Sequence, residues 1–179
     1  MHSRLLLVLT FVVAALCASA GSAHAAGCTP SYSATTHVLT IASCWADPDA
    51  PVIARISRTA AGAIQLDGQP IPGGPTVTNT DSIVYHGDDG NRDEITLDMS
   101  NGLFAPGYTP DQTSNKNEIE ISIDGGAGAT NFLTILGMDG PVFDSIAVGA
   151  VDIDVDDDDD SDIERAHLSG RLTVNGQGG

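Results

Sequence analysis

The stretch "HGDDGNRDEITL", residues 86–97, carries the first clue to the fold, because it has a counterpart further along the chain. Glycines at 87 and 90 are followed by Asp93 and then by Ile95-Thr96-Leu97. The second copy has Gly125 and Gly128, then Asn131, then Leu133-Thr134-Ile135. Both read G-x-x-G-x-x-[D/N]-x-[I/L]-T-[L/I]. Both follow an alternating apolar run that ends on one polar residue, His86 or Asp124. The unit is therefore strand, glycine turn, strand. Glycine tolerates positive φ and close backbone approach, so it lets a strand turn a tight corner. A third copy is read at Leu172-Thr-Val174-Asn175-Gly176 and stops at Gly179.

Outward from these units the chain shows no sustained helical period. Short β-rich runs recur between Gly, Pro, Asn and Asp. Strands are expected at 36–41, 51–57, 63–66, 82–85, 94–97, 119–123, Phe132–Leu136, 145–148, 151–155 and 171–174. Pro70, Pro72, Gly73, Gly74 and Pro75 make a firm break. Residues 101–116, with Pro106, Gly107 and Pro110, read as a polar connection that loops out of the body. One repeat cannot bury its own apolar face, whereas stacked repeats can. The expectation is an all-β chain, built as a parallel β-solenoid of β-roll or β-helix type behind an N-terminal strand segment. A β-sandwich is the competing architecture, since repeated hairpins produce much of the same pattern.

The organisation follows. Arg4, the apolar run 5–16 and Ala23-His24-Ala25 read as a secretory signal peptide over 1–25. The apolar run is shorter than the roughly 20 residues that a membrane span needs. Residues 26–75 form a disulfide-linked N-terminal β segment, and 76–179 the glycine-rich repeat region. Cleavage leaves two cysteines, Cys28 and Cys44, which an oxidising compartment would pair. The chain ends on "NGQGG" inside the third repeat, which points to a once longer array with an uncapped C-terminal edge open to self-association.

The full chain carries a net charge of −17, with 24 acidic residues against 7 basic ones. Such a surface repels nucleic acid and anionic membrane and attracts cations. Acidity that only keeps an extracellular protein soluble, or suits a salty habitat, competes with a metal-binding reading.

The segments "VYHGDDGNRDEITL", "ISIDGGAGATNFLTIL" and "ERAHLSGRLTVNGQGG" resemble degenerate repeats of the hemolysin-type calcium-binding (repeats-in-toxin) family. The resemblance implies a solenoid whose glycine turns hold calcium, through backbone carbonyls and a carboxylate at the sixth position of the repeat. That position is Arg92 in the first copy and Thr130 in the second, with Asp93 and Asn131 one place late. The family's sites also use tandem turns, whereas these stand isolated in the sequence. The metal ligands it implies are Gly87, Asp88, Asp89, Asn91 and Asp93, then Asp124, Gly126 and Asn131, with Ca2+ as the ion. It implies a secreted, non-catalytic structural or surface-interaction module that meets calcium ions and cell-surface or extracellular polymers.

The other acidic run, "VDIDVDDDDDSDIE", fails as an EF-hand. Counting from Asp154, the sixth residue is Asp159, not Gly, and the twelfth is Arg165, not Glu. It reads as a strand end with Ile153 and Val155 inward, followed by a solvated acidic loop. No H-E-x-x-H, G-x-S-x-G, P-loop or C-x-x-C is present. An extracellular polysaccharide-processing enzyme, or an accessory domain of one, is the alternative function. Acidic pairs are plentiful enough for such chemistry, but sugar-stacking aromatics are scattered at Tyr32, Trp45, Tyr85 and Tyr108.

Overall fold

A computed structural model describes residues 27–42, 44, 50–109, 118–138, 147–148, 152–154 and 163–176. The signal-peptide reading, the aspartate run 156–160 and the final residues 177–179 lie outside these. Among the described residues thirteen strands form: β1 Thr29–Ser33, β2 Val38–Ala42, β3 Val52–Arg58, β4 Ile64–Leu66, β5 Gln69–Pro70, β6 Ser82–His86, β7 Asp93–Asp98, β8 Glu120–Asp124, β9 Phe132–Leu136, β10 Ala147–Val148, β11 Asp152–Asp154, β12 Ile163–Ala166 and β13 Leu172–Asn175. Every expected strand has a counterpart. β1, β5 and β12 were not anticipated.

The strands form two mixed sheets, which corrects the expectation of a parallel solenoid. The first sheet has seven strands in the order β1-β2-β6-β8-β12-β11-β10, and the second has six in the order β13-β9-β7-β3-β4-β5. Parallel ladders occupy the middle of each sheet: β2-β6-β8-β12 in one and β3-β7-β9-β13 in the other. β1, the β4-β5 hairpin and the β10-β11 hairpin add antiparallel strands at their ends. The arrangement is sandwich-like. Antiparallel pairing of β1 with β2, β3 with β4, β4 with β5, β10 with β11 and β11 with β12 makes the sheets mixed.

Alternation along each strand supplies the core. Ile83 and Tyr85 point inward from β6, Ile95 and Leu97 from β7, Ile121 and Ile123 from β8, and Leu133 and Ile135 from β9. They join Leu39, Ile41, Ala54 and Ile56 in one apolar cluster. The N-terminal segment is thus built into both sheets, with Leu39 beside Ile83 and Ile56 beside Leu97. Cys28 and Cys44 are disulfide-bonded and buried.

The register also corrects the third repeat. Leu172–Asn175 aligns with Leu133–Leu136, the strand after the second turn, and Ile163–Ala166 aligns with Ile121–Asp124. The third turn is therefore His167-Leu-Ser-Gly170-Arg171, with a single glycine. Burial of Ile163 at the core decides this register.

Nor does the connection after Asp98 loop out, as far as it is described. Phe104 is buried, Gly107 N–H donates to Val77 O at 2.8 Å and Tyr108 N–H to Thr80 O at 3.1 Å. The Tyr108 ring stacks on His37 with centroids 3.5 Å apart. Asp81 accepts from both the N–H and the hydroxyl of Thr109 at 2.6 and 2.9 Å.

Truncating a central side chain tests the shared core. Ile123→Ala should lower the unfolding free energy by about 2–5 kcal/mol without shifting the denaturant slope, as read in urea by tryptophan fluorescence.

Candidate functional site

The two glycine turns, 38 residues apart in sequence, lie directly on one another. This corrects their reading as isolated. Gly87 N–H donates to Asp124 O, and Gly90 N–H to Ala127 O, both at 2.8 Å. The third turn stacks beyond them: Gly125 N–H reaches Ala166 O at 3.1 Å, and Gly170 N–H reaches Asn131 O at 2.8 Å.

Asn131 is fully buried and sits at the centre of the second turn. Its amide nitrogen donates to Gly125 O at 2.6 Å, Gly126 O at 3.0 Å and His167 O at 3.0 Å. Its amide oxygen accepts the N–H of Asp93 at 2.9 Å. One neutral side chain thus satisfies carbonyls of two turns and an amide of a third segment. The glycines are what make room for it. A Cβ on Gly125 would sit 2.8 Å from the Asn131 side chain, and one on Gly87 would collide with Asp93 Oδ2.

Asp93 holds the equivalent place in the first turn, also fully buried. Its Oδ2 accepts from the Tyr85 hydroxyl at 3.1 Å. Its Oδ1 is buried with no hydrogen-bond partner among the described residues. Burial pushes the Asp93 carboxyl up to about 6; the Tyr85 hydrogen bond opposes this and the nearby Asp88 charge adds to it. Burial also raises the Tyr85 phenol, with the Asp93 charge beside it. The disulfide closes this side, with Cys28 Sγ 3.7 Å from the Tyr85 oxygen and Cys44 Sγ 3.7 Å from His86 O.

The remaining expected ligands serve the stack. Asp89 is exposed, and its Oδ1 accepts Ala127 N–H at 2.8 Å. Asp124 accepts Gly126 N–H at 3.0 Å, and its Oδ1 lies 2.6 Å from His167 Nδ1. That His167 contact is the main reason its carboxyl falls below the usual range. Asp88 and Asn91 are half-buried in the turn, and Asn91 N–H lies 3.4 Å from Asp88 O. Among the described residues no three His, Cys, Asp or Glu side chains converge as a metal site. Sequence reading missed Tyr85, His167 and Gly170. In the sequence Tyr85 is only one of the scattered aromatics, and the third turn lacks the paired glycines.

No protein-family model, curated protein or solved structure matches this chain, and nothing among them identifies hemolysin-type repeats. Among the described residues, no helix is long and apolar enough to cross a membrane.

Two exchanges test the site. A raised carboxyl binds its proton more tightly when folded, so Asp93 stabilises the fold below about pH 4, and that contribution is lost as pH rises to about 6. In chelator, Asp93→Asn should remove this component of the pH profile and make the protein more stable than wild type at pH 7. Asn131→Asp replaces a donor by a carboxylate facing three carbonyls. It should cost about 2–4 kcal/mol at pH 8 and recover partly on acidification, both read from urea denaturation.

Proposed function

We propose that this protein is a non-catalytic structural or surface-interaction module acting outside the cell, with calcium as the ligand of its first glycine turn. The turn stack carries this reading. Its polar side chains, the Asp124–His167 and Tyr85–Asp93 pairs included, hold neighbouring turns together. The two turns differ in what they offer a cation. In the second, the Asn131 amide already donates into the carbonyls that would coordinate an ion. In the first, Asp93 has a buried oxygen without a donor among the described residues, and Asp88 places more negative charge beside it. Hard cations favour such oxygen ligands.

Calorimetric titration of calcium, with magnesium as control, tests the metal. The expected result is one saturable, calcium-selective site that Asp93→Asn abolishes and Asn91→Ala weakens, together with a calcium-dependent rise in Tm. An unselective or flat response would leave the turns as architectural corners only.

A second reading, as an accessory module contacting an extracellular polysaccharide, rests on a groove across the outer face of the second sheet. There Phe132 and Arg171 flank a row of hydroxyls from Thr96, Thr134 and Thr173. Retardation in a gel containing neutral or acidic glycan, lost in Phe132→Ala, would favour it.

A further inference from the structure

The four ends of the parallel ladders are not treated alike. β1 lies beside β2, the β4-β5 hairpin beside β3 and the β10-β11 hairpin beside β12, all antiparallel. The fourth end, β13, is the edge of the second sheet and, among the described residues, pairs only with β9. Natural sheet edges are usually blunted by charge, proline, a bulge or a covering segment. β13 reads Leu-Thr-Val-Asn, with neither charge nor proline. Val174 lies in register with the fully buried Ile135, yet 37% of its surface is exposed. Among the described residues nothing pairs with the ladder beyond β13, and its inner face stays partly exposed at this end.

The geometry points to a second copy of this chain as the occupant, with β13 pairing antiparallel to β13 of the other copy about a two-fold axis through Thr173. This strand is complementary to itself in that register. Directly opposed residues share a face in an antiparallel pair, so Leu172 of each copy meets Val174 of the other and the apolar face becomes covered. The backbone fits as well. Asn175 O accepts from Gly137 N–H on the β9 side. Successive residues of a strand direct their backbone groups to opposite sides, so Leu172 and Val174 present N–H and C=O to the open side. These are the pairs that would exchange hydrogen bonds, four in all. On the outer face the Thr96-Thr134-Thr173 row, in register across β7, β9 and β13, would continue into its mate. Because β13 is uncharged, two chains of net charge −17 meet there without like charges directly opposed. The long-range repulsion that remains is screened by salt.

Sedimentation equilibrium of the purified protein at low and high salt tests this. The expected result is a monomer–dimer equilibrium that strengthens as salt rises. Val174→Pro removes two of the four outward hydrogen bonds without removing one to β9, and should weaken the dimer at least about tenfold with unchanged circular dichroism. Val174→Lys, which adds charge at the edge, should do the same and guards against a proline-specific folding defect. A protein monomeric at every salt and concentration overturns the proposal. So does a dimer that both variants leave intact, or one that salt dissociates.

Discussion

One buried amide holds the molecule's organisation together. Asn131 can occupy the inside of a turn because an amide both donates and accepts, and it uses both capacities on backbone groups of three segments. The rest of the local structure follows from accommodating it. The first glycine of each turn must lack a side chain because the residue six positions later fills that space. The stacked turns then place β6 beside β8 and β7 beside β9, with every later inward residue over its counterpart.

The same residue type plays three parts here, decided by surroundings. Asp89 is exposed and bridges to the backbone of the next turn. Asp124 is half-exposed and is held charged by His167 and the Gly126 N–H. Asp93 is sealed beneath the turn with Tyr85 and the disulfide, where charge is costly. Asp98 makes a fourth case at the far end of β7. It is equally buried, but Ser100 and Arg55 hydrogen-bond to it and outweigh the effect of burial, so its carboxyl is lowered. Acid content alone therefore says little about cation binding in this chain.

The mixed sheets reflect how the ladders end. Parallel pairing needs long connections, and here each passage through the opposite sheet supplies one. At three ends of the ladders an antiparallel strand is the cap. Two of these caps are hairpins and the third is β1, tied to the core by the Cys28–Cys44 bond. The fold is thus internally repetitive in the middle and irregular at its margins, and among the described residues β13 is the one ladder end without an antiparallel cap.

Alternation and turn residues made the β class, ten of the thirteen strands and the first two repeats legible in the sequence, because period-two burial and glycine corners are local properties. The cysteine pairing was legible too, as only two cysteines follow the apolar N-terminal run. β12 was not legible, since "IERA" has one large apolar residue and its place comes from Ile163 entering a core built elsewhere. The antiparallel caps and the third turn were hidden for the same reason. The glycine turns and the residues at 93 and 131 could be picked out, but not their difference. An aspartate and an asparagine look interchangeable in a repeat. Only the packed structure shows that Asn131 donates into a ring of carbonyls while Asp93 keeps a buried oxygen without a partner among the described residues, because hydrogen-bond satisfaction is decided by neighbours 38 residues away.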